Sequence, residues 1–240
     1  MENVEKLKDG FKIILSIDSV IGAGKTTLLN KYKKMYPQLT IIQEPVEKWV
    51  ASGLLERFYE DPKRYVFQLQ QFIMASFHDQ LEEAFKKNAK YILMERGPLA
   101  CFCVFSHIHY QNGMMTEEEY RKMEVDHYAY ERALRERGYV LDHIYLATPL
   151  DVAMERLTAR NRINEGSKVS REYQQQLLDR YQQLCLTSYT ESQIDSLVAK
   201  VVEMLGIQSA DNGNNNEPLY IADIGAVNPM RRSLTSFISG

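Results

Sequence analysis

A strand-like run, a glycine-containing loop and a helix-forming segment follow one another between Phe11 and Tyr36, and this succession limits the possible folds more than any other part of the chain. Phe11 to Ile17 (FKIILSI) is apolar and rich in β-branched residues, as is typical of a strand buried in a parallel sheet. Thr26 to Tyr36 contains good helix formers and stops before Pro37. The loop therefore lies at a helix N-terminus, where free N–H groups and the helix dipole favour an anion.

The loop matches the phosphate-binding pattern of glycine, four residues and Gly-Lys-Ser/Thr, except that Ser19 stands at the first glycine. A residue with a Cβ at that position narrows the backbone conformations open to the loop entrance. The remaining pattern predicts a nucleotide site, in which Lys25 reaches the β- and γ-phosphates and the Thr26 hydroxyl binds Mg²⁺. The alternative is a glycine-rich turn without a ligand. The residues predicted to bind phosphate are Gly22, Ala23, Gly24, Lys25, Thr26 and Thr27.

The composition fits one ordinary α/β domain, because 240 residues with 45% hydrophobic and 25% charged side chains can bury a full core. The net charge of −3 provides no general attraction to nucleic acid or to an anionic membrane, so neither is expected as a partner.

Three cysteines without metal-ligand spacing indicate a reducing compartment. The first ten residues resemble neither a secretory signal nor a transit peptide. We expect a cytoplasmic protein, with the nucleus as an alternative.

Strand and helix patterns alternate along the chain, which predicts a parallel sheet with helices on both faces. No repeat and no long linker divides the sequence, so residues 1–240 are predicted to form a single domain. The further predicted strands are residues 38–43, 90–94, 142–147 and 219–223, and the further predicted helices are about 62–88, 116–138, from 148, from 171 and 191–205.

Glu44 directly follows the second predicted strand, in the sequence Gln43-Glu-Pro-Val-Glu-Lys-Trp49. Ligands of open α/β sheets bind outside the carboxyl ends of the strands. A carboxylate at this edge, next to a phosphate donor, can accept the proton of an attacking hydroxyl group. A capping or solvated glutamate is the alternative, and for Trp49 the alternative is packing in the core or at its rim.

Glu95 and Arg96 end the third predicted strand. A carboxylate here faces the predicted phosphate loop and is a candidate ligand of Mg²⁺. Arg96 can neutralise charge near the transferred phosphoryl group or hold Glu44. Taken alone, an acid and an arginine at the end of a strand are also common as a surface ion pair.

A cluster of arginines follows the fourth predicted strand. Arg156 and Arg160 share one helix face at a spacing of i and i+4, and Arg162 enters the next loop. Guanidinium groups near a phosphate site can bind the transferring group. The alternative is that these arginines are solvated at the C-terminal end of a helix, where the helix dipole favours positive charge. Because four such features occur in order at successive strand ends, we interpret the chain as a phosphotransferase.

The chain resembles the deoxyribonucleoside kinases, a family that includes deoxycytidine and deoxyguanosine kinases, mitochondrial thymidine kinase and the insect broad-specificity enzyme. The resemblance covers about residues 17–173, and its most specific parts are EPVEKW at 44–49, LLERFYEDP at 54–62 and FQLQ at 67–70. It implies a P-loop kinase fold with an arginine-rich lid at about 156–170. It also implies Mg²⁺-dependent transfer of the γ-phosphoryl group of ATP to the 5′-hydroxyl of a deoxyribonucleoside.

The resemblance implies a role for individual residues as well. Glu44 corresponds to the base for the 5′-hydroxyl, Tyr59 to the residue that meets the 3′-hydroxyl, and Gln70 to the residue that reads the base edge. From residue type alone, a glutamine on a long helix is expected to be exposed. The other residues implied to contact the nucleoside are Trp49, Phe77, Arg96, Cys101, Phe105 and Glu165. The residues implied to be catalytic are Glu44, Arg96, Lys25 and Glu95. Besides the loop residues, those implied to contact ATP are Arg156, Arg160, Arg162 and Asp223.

Two pocket positions bear on the preferred base. Phe77 and Cys101 are bulky apolar and small neutral residues where deoxycytidine and purine enzymes of this family carry charged residues, so thymidine or another pyrimidine is the expected substrate. Departures from the family pattern include Ser19 and Gly97, which replaces a serine. A homodimer is expected, and the tail at about 225–240 has no assigned role.

The principal alternative is a nucleoside monophosphate kinase such as thymidylate kinase, which also combines a phosphate loop with an arginine lid. A monophosphate is already an anionic nucleophile, so it needs no base and would be repelled by Glu44. A GTPase switch is disfavoured because the sequence contains no Asn-Lys-x-Asp motif.

Overall fold

The structure, a computed structural model, describes residues 10–160 and 169–210, with only the backbone of Arg160. The strands are β1 Lys12–Asp18, β2 Thr40–Ile42, β3 Tyr91–Glu95, β4 Tyr139–Leu146 and β5 Thr187–Tyr189. The α-helices are α1 Lys25–Met35, α2 Val46–Ala51, α3 Leu54–Glu60, α4 Pro62–Lys86, α5 His107–Gln111, α6 Glu117–Glu136, α7 Leu150–Arg160, α8 Arg171–Gln183 and α9 Glu191–Met204, and a π-helix, Ala100–Ser106, leads directly into α5.

The five strands form one sheet in the order β2-β3-β1-β4-β5, and every pair is parallel. The central strand β1 pairs with β3 on one side and with β4 on the other. Parallel pairing brings the carboxyl ends of the strands to one edge of the sheet. The predicted α/β fold with a parallel sheet is therefore confirmed.

Side chains of β1 alternate between two cores on opposite faces of the sheet, as the period of a strand requires. Ile13, Leu15 and Ile17 belong to the core that also contains residues of α1, α8 and α9. Ile14 belongs to the other core, which contains Phe77 and other residues of α4. Helices cover both faces, so every β1 residue from Ile13 to Asp18 is buried.

Two helix starts agree with their sequence signals. The Asp61 side chain accepts a hydrogen bond from the Arg64 N–H, and Pro62 occupies the first turn of α4. At α6, the Thr116 hydroxyl accepts from the Glu119 N–H while the Glu119 carboxylate accepts from the Thr116 N–H. Both caps pair N–H groups at the helix start that have no partner within the helix, so α4 and α6 begin where the sequence predicts.

Several boundaries differ from the sequence-based expectation. The strand predicted at 38–43 is shortened to β2, and the strand predicted at 142–147 begins earlier, at Tyr139. The sequence did not predict α2, α3, the π-helix or β5. The strand predicted at 219–223 and the tail at 225–240 lie outside the described residues. No helix in the described ranges is long and apolar enough to cross a membrane.

Candidate active site

The ends of three strands bring the candidate residues together. The loop 19–24 follows β1, Glu44 follows β2, and Glu95 is the last residue of β3. Ile17 is the register partner of Glu95, so the loop leaves the sheet beside the end of β3. The loop, Glu44, Glu95 and Arg96 all contribute to the lining of one cavity of about 940 Å³.

The loop requires glycine at two positions. Gly22 and Gly24 have φ values of +85° and +102°, which side chains rarely adopt. A Cβ at Gly22 would also collide with the Ala153 carbonyl oxygen, and a Cβ at Gly24 would lie 3.0 Å from Arg156 Nη1. Close packing therefore adds a steric requirement to the conformational one.

Ser19 is compatible with the loop because it is not among the described residues with a positive φ. Its buried hydroxyl donates to the Leu146 carbonyl at the end of β4, at 2.8 Å. The Ala23 carbonyl accepts from Thr148 Oγ1 at 3.0 Å and from Arg156 Nη1 at 2.9 Å. Ser19, which stands where the pattern has glycine, thus attaches the loop to the end of β4.

Lys25 is buried beneath the loop, and its Nζ donates to the Val20 carbonyl at 3.0 Å. Burial, with a smaller contribution from the charge of Arg96, lowers the pKa of Lys25 to about 8, while Glu44 and Glu95 oppose this shift. A cation that is poorly solvated in this way gains from an approaching phosphate. The amine is therefore placed and charged for an anionic ligand.

The Thr26 hydroxyl donates to Glu95 Oε1 at 2.6 Å. Burial, followed by the neighbouring charge of Glu44, raises the pKa of Glu95. A hydroxyl and a carboxylate at the end of a phosphate loop are the oxygen ligands that Mg²⁺ combines with phosphates. Within the described residues, no group of three or more His, Cys, Asp or Glu side chains could hold a metal by itself, so a cation here would depend on the nucleotide for further ligands.

Arg96 connects the loop to the glutamate after β2. Its Nη1 donates to Glu44 Oε1 at 2.5 Å and its Nη2 donates to the Ser19 carbonyl at 3.1 Å. The φ of Arg96 is +54°, in the left-handed region that is costly for an arginine. Its guanidinium also lies 5.0 Å from the ring centre of Phe105. The side chain of Arg96, whose backbone is strained, thus contacts Glu44, Ser19 and Phe105.

The lining of the cavity also includes a group of neutral side chains. Gln70 is only 4% exposed, so the expectation of an exposed glutamine is wrong. The Cys101 thiol donates to Gln70 Oε1 at 3.2 Å, and burial raises the pKa of this thiol. Trp49 packs edge to face on Phe77 with ring centres 5.9 Å apart. Tyr59 and Phe105 line the same cavity.

Comparison with known proteins identifies the family. The profile of the deoxynucleoside kinases matches residues 15–215, most of the chain. The chain belongs to the deoxynucleoside kinase family. It is therefore a phosphotransferase that acts on deoxynucleosides, with ATP-dependent phosphoryl transfer as the chemistry of the family.

Individual relatives agree with this assignment and differ in their named substrates. The kinase is 32% identical to "Putative kinase protein 029R" of Invertebrate iridescent virus 3 over 62% of this chain and 70% of that protein. It is 28% identical to "Probable deoxycytidine kinase FPV151" of fowlpox virus over 75% and 74% of the two chains. It is 22% identical to the mitochondrial deoxyguanosine kinase of Xenopus laevis over 88% and 90%.

The sequence-based reasoning missed several residues that line the cavity, among them Phe58, Ile73, His109 and Tyr173. Helical spacing could have found Ile73, which shares a face of α4 with Gln70 and Phe77. Burial lowers the pKa of His109 to about 4, so this side chain adds no charge near neutral pH. Tyr173 carries no local signal and enters the site only because α8 packs beside the cavity.

The arginine cluster is described only in part. Arg156 lines the cavity and contacts the loop at Ala23. The side chain of Arg160 and the residues Arg162, Glu165 and Asp223 lie outside the described residues, so their roles remain predictions.

The Gly22→Ala substitution should impair this kinase through the loop. Because the new Cβ meets the Ala153 carbonyl, the loop must shift, and we expect kcat/KM for ATP to fall at least ~tenfold. Gly138→Ala is the matched control, since Gly138 also has a positive φ, +79°, but open space around it. The control should lose stability, by about 1–2 kcal/mol, and retain activity per folded molecule. Equal kcat/KM for ATP in both variants would contradict the role of the loop.

Proposed function

We propose that this kinase transfers the γ-phosphoryl group of ATP to the 5′-hydroxyl of a deoxyribonucleoside, with preference for thymidine or another pyrimidine. The observation that carries the proposal is that one cavity combines the glycine loop, the Glu44–Arg96 pair and a neutral pocket around Gln70. The product is the deoxynucleoside monophosphate.

Glu44 is proposed to accept the proton of the 5′-hydroxyl as the oxygen attacks phosphorus. Its carboxylate is partly buried and is oriented by Arg96, which also holds the loop at Ser19. A hydroxyl is a poor nucleophile until its proton is removed, so a positioned base accelerates the transfer. Arg96 additionally places positive charge beside the reacting groups.

The donor phosphates are proposed to bind at the N-terminus of α1. Backbone N–H groups of residues 22–27 and the Lys25 amine supply the positive potential. Arg156, with Arg160 and Arg162, would neutralise charge on the transferring group. Mg²⁺ would be held by Thr26 and Glu95 and would neutralise charge on the phosphates.

The preference for a pyrimidine rests on the chemistry of the pocket, since the relatives have different substrates in their names. The Gln70 side chain offers both an N–H donor group and a carbonyl acceptor, which suits a neutral base edge. Phe77, packed on Trp49, limits the depth of the pocket, and Cys101 is neutral. In this proposal Phe105 stacks on the base, while Tyr59 and Glu165 contact the sugar. Asp223 contacts the adenine of ATP.

We further propose that residues 1–240 form one domain and that the enzyme acts as a cytoplasmic homodimer, with a helical face such as that of α6 pairing the subunits. Neither nucleic acid nor a membrane is included as a partner in this proposal.

A substrate panel tests the proposed function. With Mg-ATP and thymidine, deoxycytidine, deoxyadenosine, deoxyguanosine or thymidine monophosphate as the only acceptor, ADP release should be fastest with thymidine. Thymidine monophosphate should give no turnover, because its charge would lie near Glu44. Turnover with the monophosphate alone would show that the acceptor has been misassigned.

The Glu44→Gln substitution should remove the base while keeping the shape of the site. We expect kcat to fall on the order of 10²- to 10⁴-fold and KM for the nucleoside to change little. Glu47→Gln, at an exposed position on α2, is the matched control and should leave both constants unchanged. Near-normal kcat in the Glu44→Gln enzyme would make Glu95 the next candidate for the base.

The Phe77→Leu substitution should enlarge the pocket. We expect the ratio of kcat/KM for deoxyadenosine to that for thymidine to rise on the order of tenfold, because space for the larger base is gained. Phe72→Leu on the same helix controls for loss of aromatic volume outside the cavity. An unchanged ratio would exclude Phe77 as a determinant of base size.

A further inference from the structure

Gln174 makes two hydrogen bonds to one peptide segment of the glycine loop. The Ile21 N–H donates to Gln174 Oε1 at 3.0 Å, and Gln174 Nε2 donates to the Ile21 carbonyl at 2.6 Å. The amide thus pairs with the N–H and the C=O of the same residue, as a neighbouring strand would. Gln174 lies on α8, and 153 residues separate it from Ile21.

The position of Gln174 is one that packing alone would give to an apolar residue. It is 0% exposed and shares the buried face of α8 with Leu177 and Tyr181. Burying an amide is costly unless its polar atoms are paired. What the amide supplies, and an apolar side chain could not, is a partner for both polar groups of Ile21.

Ile21 is a sensitive point of the loop. It directly precedes Gly22, whose φ is positive, and it lines the cavity. Ser19 is anchored to Leu146 and the Ala23 carbonyl is anchored by two other side chains. Gln174 anchors the stretch between these two points. The loop is therefore held along its length by side chains of α7, α8 and the segment after β4, and by a backbone carbonyl of β4.

We propose that Gln174 is a positioning residue for ATP binding: its amide fixes the Ile21 backbone so that the following loop N–H groups are oriented before the phosphates arrive. This inference rests on the proposed function, in which the loop binds ATP. Preorganised donors do not have to be ordered at the moment of binding, so loss of the amide should weaken ATP binding.

The substitution Gln174→Glu tests the amide with a change of very few atoms. A protonated glutamic acid can still accept from the Ile21 N–H and donate to its carbonyl, whereas a carboxylate lacks the donor and places negative charge against that carbonyl oxygen. The variant should therefore hold the loop at low pH and release it as the pH rises. The new ionisation should be visible in the pH dependence of kcat/KM for ATP.

The expected result is a fall in kcat/KM for ATP on the order of tenfold across this ionisation, carried mainly by KM for ATP, with KM for the nucleoside unchanged within about twofold. Wild-type enzyme and Gln175→Glu should lack this ionisation. Gln175 is exposed on the same helix and contacts Asp179 rather than the loop, so it controls for added charge. A Gln174→Glu profile identical to that of the wild type would overturn the proposal.

A second variant covers loss of folding in Gln174→Glu at high pH. Gln174→Leu keeps the packing of α8, and its folded fraction is followed by thermal unfolding. It should raise KM for ATP at every pH, and an unchanged KM would overturn the proposal.

Titration of ATP by calorimetry separates this inference from the proposed function. If no nucleoside is phosphorylated but the dissociation constant of ATP still depends on Gln174, the proposed acceptor fails and the role of Gln174 stands.

Discussion

The parallel pairing of β1 with its two neighbours is the constraint on which the site depends. The register places Ile17 opposite Glu95 and Asp18 opposite Tyr145, so the loop leaves the sheet where β3 and β4 also end. Antiparallel neighbours would have sent these ends to opposite edges. Because both faces of the sheet are covered by helices, the edge at the carboxyl ends is where a ligand can approach the strands.

Charge balance at this edge is achieved within a small group of side chains. Lys25 and Arg96 are buried with Glu44 and Glu95 close by, and each of these charges affects the pKa of its neighbours. A buried charge is tolerated when it is paired. Arg96 keeps its unfavourable φ because its guanidinium contacts Glu44, Ser19 and Phe105 at once. The local strain is therefore compensated by contacts that only the assembled site provides.

The neutral pocket depends on an unusual piece of backbone. Cys101 and Phe105 belong to the π-helix, a form that is rare and frequent at functional sites. Its wide turn is stabilised by side chains: the Ser106 hydroxyl donates to the Cys101 carbonyl at 2.8 Å, and Arg180 Nε donates to the Cys103 carbonyl at 2.7 Å. Since Arg180 lies on α8, this helix supports the neutral pocket as well as the loop.

Local patterns in the sequence determined the sheet type, the position of the loop, the caps of α4 and α6, and the order in which Glu44, Glu95 and Arg156 occur, because each of these signals lies within a few neighbouring residues. Tertiary structure decided the rest. The bonds from Ser19 to Leu146 and from Gln174 to Ile21 join residues more than 120 positions apart. β5 is a short polar strand that exists by pairing with β4. Gln70 is buried in contact with Cys101 of the π-helix. Such contacts have no local pattern, since their partners become neighbours only when the helices pack on the sheet.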